Sequence, residues 1–284
     1  MTNMLIVRYL KKQYVEVIIT LLVVTLLVLS FYPLFMLVIK SFKTISDDQS
    51  NPFGLPKVWS LENYEYAWIV IKPYLFNSLF VTIIQTFGIV SIGSFTAFAF
   101  VRFNFPYKNT IFYMIIALLM MPGIVTITSQ YELVNKLGLV NTHWGVILPA
   151  IAGSIPFATF LLRTSFSGVS TELLDAATID GATDFQVYYN VMLPISKPII
   201  WTLVITSFIG GWNDYLWPSL VLLEERLHTL PIALVNFTSA YYGMTGGYGA
   251  PFAAYVISSL PLLIVFLLAS KQFIAGLTSG SIKM

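Results

Sequence analysis

The sequence contains no cysteine, so it has no disulfide framework, no thiolate nucleophile and no Cys-ligated metal site. Charge is scarce as well: 10% of the 284 residues are Asp, Glu, Lys or Arg and 57% are hydrophobic. Globular domains carry about 25% charged residues, so the composition argues strongly against a soluble fold. The net charge of +2 comes from scattered lysines and arginines, not from a basic patch for nucleic acid. His143 and His228 are the only histidines, far apart and without a second ligand at metal spacing. They read as interfacial side chains, and no metal site is expected. No His/Asp/Glu cluster or Ser–Lys pair supports catalysis, so the chain is not expected to be an enzyme.

What the sequence has in abundance is long apolar runs. A membrane helix needs about 20 mostly apolar residues, and six segments qualify: 15–39, 76–100, 110–128, 144–163, 199–222 and 252–270. Unpaired backbone in lipid costs several kcal/mol per group, and the runs lack the period-2 alternation of a barrel. The expected fold is therefore all-α: a polytopic membrane protein with six transmembrane helices, read as one domain over 1–284. The first run follows Arg8, Lys11 and Lys12 but outlasts a signal-peptide core and lacks a small-residue cleavage site. It is expected to be a retained helix. With the N-terminus inside, Arg8, Lys11, Lys12, Arg102, Lys108, Arg163, Lys197, Lys271 and Lys283 lie on the cytoplasmic side. Lys40, Lys43, Lys57, Lys72, Lys136 and Arg226 lie outside. That bias places both termini in the cytoplasm.

Residues 41–72 carry Trp59, Tyr64, Tyr66 and Trp68, which fit an interfacial belt or an amphipathic segment on the outer leaflet. Residues 129–143 read as a short helix ended at Gly138. The last outer loop, 223–251, closes on Tyr241, Tyr242, Gly243, Gly246, Gly247 and Tyr248. Glycines among tyrosines predict a flexible tip able to reach into a cleft; the alternative is a mobile surface loop. Pro122-Gly123, Pro149, Gly153 and Pro156 predict kinked or loosened helices, which a moving membrane helix needs but ordinary membrane helices also tolerate.

The connection 164–198 is polar and acidic. Thr171 is placed to cap a helix whose first turns hold Glu172 and Asp175, where the helix dipole favours acids. Glu172, Asp175 and Ile179 share a side, and Ala176 and Ala177 let another surface approach the backbone. Gly181 turns the chain before a second helix, about 183–192, stopped by Pro194 and Pro198. The product is a helix–turn–helix along the membrane surface, built either to dock a soluble partner or to rest at the lipid interface. Its acidity argues against the second, since helices on the inner leaflet tend to be basic.

Asp175-Ala176-Ala177, then Gly181, then Val191-Met192-Leu193-Pro194 resemble the signature of ABC importer inner-membrane permeases, Glu-Ala-Ala, three residues, Gly, nine residues, Ile, one residue, Leu-Pro. Asp175 stands for the family Glu and Val191 for Ile, changes that keep charge or shape. Asp180-Gly181-Ala182, Leu137-Gly138-Leu139 with Asn141-Thr142, Trp212-Asn213-Asp214-Tyr215-Leu216-Trp217-Pro218 and the tail Gly276-Leu277 through Lys283 resemble the carbohydrate branch. The likeness is to the smaller, six-helix partner of the maltose and multiple-sugar permease pair. It implies a sugar or oligosaccharide permease subunit in the cytoplasmic membrane of a bacterium or archaeon. A second homologous permease would form a heterodimer with it, and an extracytoplasmic sugar-binding protein would deliver cargo. A dimeric ATPase would hold ATP and Mg, since the chain itself has no phosphate-binding loop of the form Gly-x-x-x-x-Gly-Lys-Ser/Thr. Coupling to the ATPase falls to Glu172, Asp175, Ala176, Ala177, Asp180, Gly181 and Pro194. The tyrosine–glycine tip resembles the loop that enters the binding protein in such permeases.

Asp214 is the sole acid well inside a predicted membrane segment, a setting in which an acid is expected to serve function. In one reading Asn213 and Asp214 bond sugar hydroxyls while Trp212 or Trp217 stacks on the ring, with Gln85 a further pathway residue. In the other, these aromatics form a belt beside a helix break at Pro218. Two rivals stay open: an ABC permease for a non-sugar solute, and an ion-coupled secondary transporter, which would need paired intramembrane carboxylates or a broken-helix ion site.

Overall fold

A computed structural model describes the backbone of residues 2–279 and the side chains of 14–270. Arg8, Lys11, Lys12, Lys271 and Lys283, and the side chains of the tail motif from Gly276 onward, lie outside the described side chains. Among the described residues every regular element is helical, as the apolar runs require. In order these are α1 Thr2–Ser41, α2 Ile45–Ser50, α3 Glu62–Arg102, α4 Lys108–Ala117, α5 Gly123–Lys136, α6 Trp144–Phe166 and α7 Thr171–Ile179. Then follow α8 Asp184–Val187, α9 Leu193–Ile195, α10 Lys197–Asn213, α11 Leu216–Val221, α12 Leu230–Thr245 and α13 Gly249–Ser279.

Four helices are long and apolar enough to cross a membrane unaided: Tyr14–Ser41, Glu62–Arg102, Trp144–Phe166 and Gly249–Ser270. Six spans are reached only by counting two bent pairs: Lys108–Met120 with Gly123–Lys136, bent by 102°, and Asp184–Ile195 with Lys197–Asn213, bent by 79°. The kink expected at Pro122-Gly123 within the 110–128 segment is present, and it is sharp enough to divide that segment into two helices. Met121 and Pro122 are both extended, at ψ 120° and 122°, because a proline pushes the preceding residue out of helical geometry. The fifth segment, expected over 199–222, ends at Asn213. Its break falls at Asp214 (ψ 116°), and Pro218 sits in the first turn of α11, where a missing N–H is tolerated.

Inter-residue contacts divide the chain into two compact units, Met1–Val70 with Phe237–Ile257, and Ile71–Asn236 with Ser258–Met284. In the first unit α1 exposes every described side chain from Tyr14 to Phe35, an apolar surface left to lipid or to another subunit. The connection 41–61 folds as a compact element. Lys43 is 1% exposed and donates to the Asn51 carbonyl. Asn63 donates to the carbonyls of Ser41 and Lys43 at 2.9 and 2.8 Å. Phe42 packs between Trp59 and Tyr64 at centroid distances of 5.3 and 5.0 Å, so these aromatics hold the connection together besides marking an interface.

The second unit packs α3 against α6 and α10. One core joins Ile89, Phe98, Leu162, Phe166, Leu203 and the underside of α7 through Leu174. The other joins Val81, Val134, Ile147, Trp217 and Val221. The α5 helix ends as expected in a left-handed Gly138 at φ 69°. Bonds from Gly138 N to Asn135 O and from Leu139 N to Val134 O close the helix by a Schellman motif.

Candidate functional site

The acidic connection is built as two helices on a shared base. The N-cap of α7 is Ser170, not Thr171, and no side-chain capping bond forms. Its C-terminus is defined more firmly: Gly181 has φ 82°, Gly181 N donates to Thr178 O at 3.1 Å and Ala182 N to Ala177 O at 3.0 Å. That is a Schellman stop needing a left-handed residue, and glycine adopts it without strain. Thr183 then opens α8 with a capping box shared with Gln186. The second helix runs past the expected 192 through a π-helical stretch, Tyr188–Met192, to Ile195. Pro194 lies inside α9 and does not stop it; the break falls at Ser196, before Pro198.

The two sides of α7 differ in kind. Leu174 is buried and Ala177 partly buried against the core. Glu172, Asp175, Ala176, Asp180 and Gly181 are exposed, as is Ile179 at 86%. Arg102 at the end of α3 fixes the pair of helices from beneath. Its Nε donates to Asp184 at 2.7 Å and its Nη2 to the Thr178 hydroxyl at 3.1 Å. The arrangement is a rigid, acidic, small-residue face with one protruding isoleucine. Sequence reasoning placed Ile179 on this face but did not count it among the site residues; its hydrophobicity beside acids was the available signal.

A polar cleft of ≈ 400 Å³ opens between α3, α6 and α10. It brings together Gln85 and Asp214, and adds Ser154, Phe157, Thr206 and Ser207, which sequence reasoning missed. Gln85 lies so close to α10 that a Cβ at Gly211 would fall 1.5 Å from its Nε2. Asp214 accepts the Trp217 N–H at 3.4 Å, at the entry to α11. Trp212, Asn213 and Trp217, expected on the pathway, do not line the cleft. Trp217 is 8% exposed and donates its indole N–H to Gly145 O at 3.1 Å. Trp212 is 3% exposed and stacks on Phe208, and Asn213 donates back to Ile209 O at 3.0 Å.

The flexible aromatic tip is corrected to helix. Tyr241, Tyr242 and Gly243 belong to α12, which leaves only Gly246, Gly247 and Tyr248 as a turn before α13. Gly246 takes φ 66° and donates to Tyr242 O at 2.8 Å, and Tyr242 stacks on Tyr248 at 4.7 Å. Tyr241 is buried beside Tyr66 at 5.9 Å, and both line a hollow of ≈ 530 Å³ with Glu62, Asn63 and Met244. Elsewhere, Asn141 explains the Leu-Gly-Leu…Asn-Thr pattern. Left-handed at φ 60°, it accepts the N–H groups of Leu223 and Glu224 and donates to the Glu224 carboxylate at 2.6 Å. Hydrogen bonds from Arg226 and Asn141 hold the Glu224 carboxyl below its ordinary value.

Apolar spans, a cleft lined by Gln85, Ser154, Thr206, Ser207 and Asp214 at the end of a broken helix, and a helical knob on the same unit fit a membrane permease. The chain belongs to the family described as binding-protein-dependent transport system inner membrane component, whose model matches residues 89–278. It is 35% identical over 253 residues to the probable ABC transporter permease protein YurM of Bacillus subtilis, covering 89% of this chain and 83% of that one. It is 32% identical over 270 residues to the arabinooligosaccharides transport system permease protein AraQ of Bacillus subtilis, covering 93% and 94%. A chain of a bacterial ABC transporter involved in import of the acidic polysaccharide alginate superposes with TM-score 0.79 at 20% identity, over 92% of this chain and 97% of that one. At that identity the superposition speaks for the fold.

Proposed function

We propose that this chain is the transmembrane permease subunit of an ATP-binding-cassette importer for a sugar or oligosaccharide. The observation that carries the reading is α7: one side is anchored in the core and by Arg102, the other presents Glu172, Asp175, Ala176, Asp180 and Gly181 to solvent. A helix fixed below and bare above suits a groove on a soluble partner, here a dimeric ATPase that holds the ATP and Mg. Nucleotide acts on the membrane helices only through contacts that differ between two states, and the α7 face supplies them. The chain itself is non-catalytic.

Residues 1–284 act as one transmembrane domain in a bacterial or archaeal cytoplasmic membrane, with both termini and the 164–198 coupling loop on the cytoplasmic side. A second, homologous permease completes the pathway, to which this chain contributes the cleft with Gln85 and Asp214. An extracytoplasmic sugar-binding protein docks near Tyr241, Tyr242, Gly246, Gly247 and Tyr248, where Tyr242 and Tyr248 offer a stacked aromatic surface. The sugar assignment is supported by AraQ, whose name states arabinooligosaccharide transport. Affinity purification of this chain in mild detergent, followed by mass spectrometry, tests the assembly. A second permease and an ATPase are expected with it; recovery alone or as a homodimer would refute the subunit assignment.

A further inference from the structure

The cleft carries chemical information about its cargo, on the reading that it forms part of the pathway. Of the residues that line it, Asp214 alone is ionisable, and no lysine, arginine or histidine is among them. Ser154, Thr206, Ser207 and Gln85 provide hydroxyls and one amide, groups that both donate and accept. Thr206 already donates to Thr202 O and Leu203 O at 2.9 and 3.1 Å, so toward the cleft it acts as an acceptor. Phe157 adds one aromatic surface. Carboxylates and phosphates are ordinarily met by Arg or Lys forks or by helix N-termini. Here α10 arrives by its C-terminus, whose free carbonyls add partial negative charge. The nearby N–H of Trp217 points to Asp214 itself.

We propose that this cleft passes uncharged, hydroxyl-rich solutes and rejects anionic ones, with Asp214 as the residue that sets the discrimination. The cargo chemistries named for its sequence relatives fall on the two sides of that division: arabino-oligosaccharides are uncharged, and sn-glycerol-3-phosphate is an anion. Asp214 discriminates by repulsion, because an anion brought beside a carboxylate in a cleft walled by apolar helices is poorly screened.

Because the chain lacks cysteine, single thiols can read the local potential in the assembled transporter. A Cβ at Gly210 meets nothing within 4 Å, so Gly210→Cys places a thiol four residues before Asp214 without crowding. Ser207→Cys places a second one farther away and guards against failure of the first to fold. Each is treated with a cationic (trimethylammonium-ethyl) and an anionic (sulfonatoethyl) methanethiosulfonate. Rates are read on this chain by mass spectrometry and divided by those with a small free thiol in solution. The expected cation-to-anion ratio is on the order of tenfold at 210, smaller at 207, and about one after Asp214→Asn. Both thiols reactive with a ratio near one while Asp214 is present would overturn the charge discrimination and leave the pathway reading standing. Thiols that neither reagent reaches would overturn the pathway reading and this inference with it.

Discussion

Gly181 carries the clearest single-residue test. A Cβ there meets no neighbour, so its φ of 82° is the whole constraint. A β-branched side chain in left-handed geometry costs about 1–2 kcal/mol, and asparagine costs less. In a reconstituted complex Gly181→Val is expected to leave assembly intact and lower sugar transported per ATP hydrolysed several-fold, while Gly181→Asn keeps most of it. Equal coupling in both variants would show that the α7 stop does not matter. Gly211 makes a different argument, by proximity. Its missing side chain admits Gln85, so Gly211→Ala should destabilise by roughly 1–3 kcal/mol through overpacking. Combining it with Gln85→Ala should recover most of that loss in a double-mutant cycle of thermal melts in detergent. Gln85 and Asp214 were legible in the sequence because each is polar in an apolar run. Ser154, Thr206 and Ser207 were not, since hydroxyls are common in membrane helices and bond back to their own backbone, as Thr206 does. Trp212 and Trp217 left two readings open in the sequence, a sugar platform or an aromatic belt; the structure buries both, and Trp217 joins a hydrophobic core.

At the scale of elements, the coupling segment depends on a tether that the sequence motif does not contain. Arg102 joins α3 to Thr178 and Asp184 through partly exposed groups, and such a pair contributes only about 0–1 kcal/mol to stability. Arg102→Ala is therefore expected to leave the melting temperature nearly unchanged but to weaken coupling, read as ATP hydrolysis less stimulated by loaded binding protein. A large drop in melting temperature would instead make Arg102 a fold residue. The strap after α11 has a pH signature. Glu224 is depressed in the folded chain by Arg226 and Asn141. Its contribution is then complete above the ordinary glutamate value and fades as pH falls through the depressed one. Amide exchange over 222–227 should quicken on acidification through that window in the wild type and be pH-independent there, beyond the intrinsic rate, in Glu224→Gln. Hydropathy located the six apolar runs and Pro122-Gly123 marked the bend in the third, whereas the break at Asp214 was missed because the proline nearby, Pro218, lies inside the helix that follows. The end of α12 was also mistaken for a loop, since Gly243 among tyrosines lowers helix propensity without preventing a helix that packs Tyr241 inward.

For the molecule as a whole, the family was legible from one constellation, Asp175-Ala176-Ala177…Gly181…Leu193-Pro194, and the structure gives its physical content as an anchored helix, a left-handed stop and a π-turned exit. The same constellation pointed to a soluble partner at α7, whereas the apolar surface of α1 from Tyr14 to Phe35 fits lipid and protein alike. The central claim is that import through this chain is driven by ATP on another subunit, and uptake by proteoliposomes holding the purified assembly tests it most directly. With loaded binding protein outside and ATP inside, sugar should accumulate and continue to do so when ionophores collapse the proton and sodium gradients. Accumulation driven by an ion gradient in the absence of ATP would contradict the account.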